Sequence, residues 1–283
     1  MESKHLEQAK IAEMIESMPA FPKSVQQVLA LADDINCNPR ELVRVVEHDP
    51  VLTGRMLRVV NSAYFGLSRR ISSVKEALAF IGLNTLKNVA LTLAAVGALP
   101  RENEAGLAVD EFLTRALAVG GTARWLAARA GLGMRDSDRA FLAGLLHDFG
   151  LIVLALQLPT VYRTLDEEHK TSGRPQHELE TEALGTDHFE LGAQVAEKWE
   201  LEDRIADTIR NHHKTAESTV ERTALMDCLW GARMLVAALN GAGRHETEPD
   251  SFRVHLGEPL AAVSTCRTEI EQAIERTQIF KQV

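Results

Sequence analysis

Five residues of this sequence are of types that work together in metal sites: His147 and Asp148 side by side, then His188, His212 and Asp227. Imidazole and carboxylate are ligands for iron, manganese or zinc, and a bound metal also neutralises buried charge that otherwise needs a partner. The first pair stands in G-L-L-H-D-F-G, residues 144–150, inside an apolar run over residues 140–158. Burying either group alone costs several kcal/mol, so the run implies that polar groups from elsewhere reach it. Asp187 suits the cap of a helix on which His188, Leu191, Gly192, Val195 and Trp199 share one face, with Glu190 placed to complete a capping box. Ile205, Ile209 and His212 share the face of a following helix, and Asp227 lies on the face of Ala224, Cys228 and Gly231. His213 is rotated from His212 by about 100° in an ideal helix and is expected to face solvent beside any pocket.

Each of these residues also has an ordinary role. One inward histidine is more often a hydrogen-bonded core residue than a ligand, and Asp227 alone could cap a helix or pair with an arginine such as Arg233. His177, His245 and His255 carry no special pattern. The order H-D, H, H-H, D on successive helices is what raises the set above its members.

The elements that must position these residues read as helices throughout. Val25, Val28, Leu29 and Ala32 form one stripe; Val74, Ala77, Leu78 and Ile81 form another, as do Leu86, Val89, Ala90 and Leu93. Asn38-Pro39 and Asp49-Pro50 place a cap before a proline at the first helical position, and Ser73 with Glu76 makes a further capping box. No polar–apolar alternation is sustained, so the expected fold is all-α. The helical pattern lapses between residues 97 and 110, after which Asp110 is expected to cap a helix carrying Phe112, Ala116, Val119, Ala123 and Leu126. The expected organisation is an N-terminal helical lobe over residues 1–100, a second helical lobe over 101–240 and a C-terminal helical extension over 241–283. The apolar run reads as two buried helices broken near Gly150.

Composition narrows the function classes. With 283 residues, 45% of them hydrophobic and 25% charged, the chain has the make-up of an ordinary globular protein. A net charge of -9 argues against nonspecific nucleic-acid binding, which needs a basic surface to release counterions. It leaves room for a local basic patch, and Arg55, Arg58, Arg69, Arg70 and Lys75 give one stretch such a character. Cys37, Cys228 and Cys266 form no CxxC pair, which suits core thiols in a reducing compartment. The first residues lack an apolar secretory core, and a His-Asp pair at the centre of the 140–158 run would be very costly in lipid. A cytoplasmic protein without a membrane span is expected.

Further motifs make a family resemblance specific. Residues 19–22 (P-A-F-P), Asp49-Pro50, residues 61–66 (N-S-A-Y-F-G), the Ala77 to Gly82 spacing, G-L-L-H-D-F-G, the G-x-D-H-x-x-x-G of residues 185–192 and the Trp199 to His213 segment together resemble the HDOD family. That family is similar to the HD superfamily of metal-dependent phosphohydrolases, and the match runs from about Met18 to Leu235. The resemblance implies an HD-like helical bundle with an N-terminal lobe packed against it, and His147, Asp148, His188, His212 and Asp227 as its candidate metal ligands.

Departures from the active pattern shape the functional expectation. Where cyclic-dinucleotide phosphodiesterases of the HD type carry a histidine on the preceding helix, this chain has Arg115. Their Ile-Gly-Lys after the HD pair is Phe149-Gly150-Leu151 here, and Lys214-Thr215 follows His212-His213 without their acidic residue or Gly-Tyr-Pro signature. Arginine does not ligate metals, and its fixed charge opposes one nearby. Arg115 close to Asp148 or Asp227 would take a metal's place. The resulting expectation is a non-catalytic signalling module acting on a partner protein or a regulatory small ligand. A single iron, manganese or zinc ion in a degenerate site is compatible with it. A metal-dependent phosphohydrolase is the alternative, and an iron oxygenase on the same fold a lesser one. Tyr64 and Phe65 are candidate partner anchors, or a turn that packs two aromatics into the core.

Overall fold

Apolar side chains spaced for one helix face recur along the chain, and every element among the described residues is a helix. The computed structural model describes residues 8–33, 38–100, 102–214, 220–241 and 247–282. Cys37, Thr215 and His245 lie outside the described residues. The first half of the chain comprises α1 (Gln8–Glu16), α2 (Lys23–Asp33), α3 (Pro39–Glu47), α4 (Pro50–Val60) and α5 (Val74–Ala98). Asn38 and Asp49 accept hydrogen bonds from the first-turn N–H groups of α3 and α4, each just before a proline. Ser73 caps α5, but the Glu76 carboxylate returns to the N–H of Ser72 (2.8 Å) and not to that of the cap itself. Within α5 the chain turns at Gly82, whose φ of 77° suits a residue without a side chain.

The chain continues with α6 (Val109–Arg129), α7 (Met134–Leu146), α8 (Phe149–Gln157), α9 (Pro159–Ser172), α10 (Gln176–Leu184), α11 (His188–Lys198), α12 (Asp203–Asn211) and α13 (Ala224–Leu239), and α1 packs against α8 and α11. The α6 helix starts at Val109 after Ala108, so Asp110 sits inside its first turn and is not the expected cap. The long apolar run does break into two helices. The break falls at His147-Asp148, two residues before the expected Gly150. Long α6 lies against α7 and α13, while α11 bridges α8 and α12.

Close backbone approach sets this geometry, and glycines permit it. A Cβ on Gly144 would lie 2.6 Å from the Cα of Gly120, where α7 meets α6. A Cβ on Gly150 would lie 1.9 Å from the carbonyl oxygen of His188, where α8 meets the start of α11. The two outer glycines of G-L-L-H-D-F-G thus hold the HD pair between two backbone contacts.

The lobes share an aromatic and ionic junction. Tyr64 packs against Phe65, Phe141 and Phe280 with ring centroids 4.8, 5.8 and 5.2 Å away, under the guanidinium of Arg124 (4.7 Å). Burial pushes the Tyr64 phenol up to about 12. Arg124 also pairs with buried Asp138 (3.2 Å), which accepts a hydrogen bond from Thr85 of α5 (2.9 Å). Tyr64 and Phe65 therefore pack inward, the second of the two roles open to them from sequence. The C-terminal helices α14 (Asp250–Leu256), α15 (Leu260–Val263), α16 (Arg267–Thr277) and α17 (Ile279–Gln282) pack back on the core. There Thr277 donates to the carbonyl of Leu117 (3.0 Å), and Phe280 joins the aromatic junction. The two stretches apolar enough to cross a membrane by composition, Val74–Ala98 and Met134–Gln157, are largely buried inside the fold.

These contacts make a mutational contrast. Gly150→Ala forces backbone apart and should cost roughly 3 kcal/mol or prevent folding. Gly54→Ala, on an exposed turn of α4 with nothing within 4 Å, should stabilise by about 0.5–1 kcal/mol. Urea denaturation of both variants measures the difference.

Candidate functional site

Helix ends carry the candidate residues. His147 closes α7, Asp148 precedes α8, His188 opens α11, His212 closes α12, and Asp227 lies in the first turn of α13. All five are buried. In the α11 cap, Asp187 accepts from the N–H of Glu190 (2.9 Å). The Glu190 carboxylate does not close the expected box; it binds Arg210 (2.8 Å) and Gln194 (3.0 Å).

Three imidazoles share one construction. The Nδ1 of His147 faces the carbonyl of Gly144 (2.7 Å), that of His212 the carbonyl of Ile209 (2.8 Å), and that of His188 the carboxylate of Glu180 (2.6 Å). A proton on each Nδ1 leaves Nε2 for the interior, as in metal-bound histidines held by an outer partner. The Nε2 of His147 lies 3.2 Å and that of His188 3.7 Å from Oδ1 of Asp148. The His147 and His212 rings are 5.9 Å apart, and the buried Nε2 of His212 has no hydrogen-bond partner.

Charge balance decides how the centre is held. Oδ2 of Asp148 faces Arg115 at 3.6 Å. Burial pushes the Asp148 carboxyl up, but His147, Arg115 and His188 outweigh it and hold the group well below its ordinary 3.8. For His188 burial acts downward, yet Glu180 and Asp148 raise its pKa above the ordinary 6.5. His188 lies between Glu180 and Asp148, with Arg115 alongside, so both carboxylates have partners that the chain itself supplies. His147 and His212 are driven the other way, downward, chiefly by burial.

Asp227 is tied up elsewhere. Its Oδ1 accepts from Nε of Arg222 (2.7 Å), and its Oδ2 faces Nδ1 of His255 (2.6 Å). Arg222 also donates to the carbonyls of His212 (3.1 Å) and Lys214, strapping the end of α12 to α13. The pairing partner is therefore Arg222 and not Arg233. His213 is half-buried against expectation: it stacks on Phe189 (4.1 Å, 17° between planes), with His177 beyond it at 5.3 Å. Burial, then His177 and Arg233, hold its imidazole down to about 3.

The residues do not fit a two-metal centre. Among the described residues no three His, Cys, Asp or Glu side chains converge to hold an ion. Asp148 is shared with a guanidinium, and Asp227 is committed to Arg222 and His255.

Glu180, Arg222 and His255 complete the arrangement and had no sequence signal of periodicity or motif. They stand 8, 5 and 28 residues from the groups they contact, and only packing joins them.

The HDOD domain family model matches residues 18–215, most of the chain. The chain belongs to the HDOD family. Asp227, Arg222 and His255 lie beyond the matched HDOD segment. A curated, uncharacterised protein of Treponema pallidum (strain Nichols) is 27% identical over 244 residues, covering 86% of this chain. The alignment covers 47% of that relative, so the chain spans about half its length. Among solved structures, an HDOD domain protein of unknown function from Geobacter sulfurreducens superposes with a TM-score of 0.74 at 22% identity, covering 96% of this chain and 98% of that one. A phosphohydrolase candidate from Shewanella amazonensis SB2B gives 0.76 at 23% identity, with coverage of 96% and 98%. A signal-transduction candidate from Marinobacter aquaeolei VT8 gives 0.71 at 23%, covering 97% of this chain and 64% of that one. At these identities the likeness establishes the all-helical HDOD fold.

Two measurements test the electrostatics. A double-mutant cycle between Arg115→Ala and Asp148→Asn should give a coupling of about 0.5–1 kcal/mol, because the guanidinium is half exposed, whereas Arg115 with Asp227 should give none. The depressed His213 makes the folded state resist a proton that the unfolded chain accepts near pH 6.5. Its contribution to stability is full above that pH and falls toward pH 3, by at most about 1.4 kcal/mol per unit. His188 acts oppositely, its contribution being lost as pH rises through its raised value. Urea midpoints of His213→Gln should therefore fall less steeply between pH 6.5 and 4.5 than those of the parent chain.

Proposed function

We propose that this chain is a non-catalytic HDOD regulatory module that acts by binding a signalling protein or a regulatory ligand. The observation that supports it most is that both candidate aspartates are occupied by arginines, Asp148 by Arg115 and Asp227 by Arg222. Hydrolysis by two metals requires bridging carboxylates and a water between the ions, and fixed guanidinium charge at those positions works against both. Arg115 stands where the HD phosphodiesterases carry a ligand, so its contact with Asp148 has the chemical sense of replacing a cation. The reading takes the module to act in the cytoplasm, in keeping with its inward-folded apolar stretches and the free thiols of Cys228 and Cys266.

A phosphohydrolase is the second reading, and one feature favours it. Nε2 of His212 is buried and unpartnered, and Nε2 of His147 and of His188 approach Asp148, so groups of the types that bind iron, manganese or zinc are present although no three of them converge in this structure. The Shewanella structure described as a phosphohydrolase candidate shares that fold.

Protein purified without chelator separates the two. Elemental analysis combined with assays on cyclic dinucleotides and nucleoside phosphates should show no turnover in the parent chain, and Asp148→Ala should change nothing in those assays. Stoichiometric metal with turnover that vanishes in Asp148→Ala would overturn the regulatory reading.

A further inference from the structure

The chain carries 31 Lys and Arg against 40 Asp and Glu, yet residues 51–75 contain five cations and no acidic residue. The fold gathers part of this stretch into a groove of about 960 Å³ between α4, the segment that follows it, and α17. Arg58, Arg69 and Arg70 line it, over an apolar floor that includes Leu57, Leu67 and Ile279. Among the described residues no carboxylate lines the groove, and Arg58 donates to the carbonyl of Gln282 (3.5 Å). Arg69 pairs with Glu76 outside it (3.2 Å) and lies over the Phe80 ring (4.8 Å). Among the described residues no carboxylate pairs with Arg58 or Arg70, so the groove keeps a net positive charge on an otherwise acidic protein.

The wall bearing these arginines is held in place. The side-chain amide of Asn61 donates to the carbonyls of Leu57 and Ile71 (both 2.8 Å), and its oxygen accepts from the N–H of Ile71 (2.7 Å). One side chain thus clips both ends of the 61–71 segment to the end of α4. Ser62 donates to the carbonyl of Val59 (2.6 Å), and Tyr64 anchors the segment from below in the aromatic junction. A surface fixed in this way binds with less ordering cost than a mobile loop.

We infer that this groove docks an acidic peptide segment with apolar side chains from a partner protein. The inference rests on the regulatory reading and names the chemistry of its partner. Guanidinium groups suit carboxylates by planar, paired hydrogen bonds, and the leucine and isoleucine floor suits apolar side chains between the acids. The volume is at the upper end for small-molecule sites, enough for several peptide residues. A nucleic acid fits less well, because among the described residues no aromatic ring lines the groove for bases to stack on.

Fluorescence anisotropy of the full chain with a fluorescein-labelled peptide of alternating glutamate and leucine tests this. The expected result is saturable binding that weakens with added salt and at least tenfold in Arg58→Gln/Arg70→Gln. Binding should be absent for the same peptide with glutamine in place of glutamate, and retained in Arg267→Gln, which removes an exposed arginine on α16. Circular dichroism checks that the variants remain folded. No binding, equal binding by the double variant, or easier displacement by oligothymidylate or inorganic triphosphate than by unlabelled peptide would overturn the inference. Phosphodiesterase assays on the same samples keep the two conclusions separate. Turnover would overturn the regulatory reading whatever the peptide does, and failure of the peptide alone would remove only the groove.

Discussion

The contact of Gly150 with the backbone of His188 is the constraint on which the centre depends. Two helices meet there with no room for a side chain, and the meeting brings the start of α11 against the turn between α7 and α8. The contact between His188 and the HD pair follows from that approach. His188 reaches Asp148 because its own backbone is pressed against Gly150, and His147 is held from behind by the crossing of Gly144 with Gly120. Close packing of this kind transmits small changes poorly absorbed elsewhere, since interiors are nearly as dense as organic crystals.

Within that frame the ionic groups neutralise one another. Asp148 has imidazoles on one oxygen and a guanidinium at the other, His188 is braced by Glu180, and Asp227 is closed off by Arg222 and His255. Buried charges persist only when paired and hydrogen-bonded, and here the chain supplies its own counter-charges. An HD-type arrangement can thus be kept as architecture with its carboxylates committed to arginines. The strap from Arg222 across the end of α12 ties the histidine pair to α13 and gives the C-terminal part of the chain a share in the same centre.

The N-terminal lobe is joined to this centre by packing of a different kind. Tyr64 enters an aromatic group that includes Phe141 of α7 and Phe280 of α17, and Arg124 links it to Asp138 and Thr85. The segment carrying Tyr64 turns its rings inward and leaves Arg69 and Arg70 outside, so one short stretch both fixes the N-terminal helices and charges their surface. α7 contributes Phe141 to this junction and ends at His147 of the HD-like centre, so the segment that walls the basic groove packs on the helix that carries the HD pair.

Helix identity was legible in the sequence because apolar spacing, prolines after Asn38 and Asp49, and the cap at Asp187 are local signals that act within one or two turns. The inward direction of His188, His212 and Asp227 was legible for the same reason: each shares a face with core residues of its own helix. Boundaries were less so. The helix break at the HD pair and the uncapped start of α6 depend on what packs against them, and the caps at Ser73 and Asp187 lost their return contacts to Ser72 and Arg210. Which charges meet was decided by tertiary structure alone. Glu180, Arg222 and His255 carry no periodic mark, His213 was brought under Phe189 by the crossing of α11 and α12, and Arg115 came to Asp148 but not to Asp227. The sequence by itself determined an all-helical chain that points ionisable groups into its core. Only the fold, through contacts between residues far apart in sequence, decided which of those groups would pair and that Nε2 of His212 would be left without a partner.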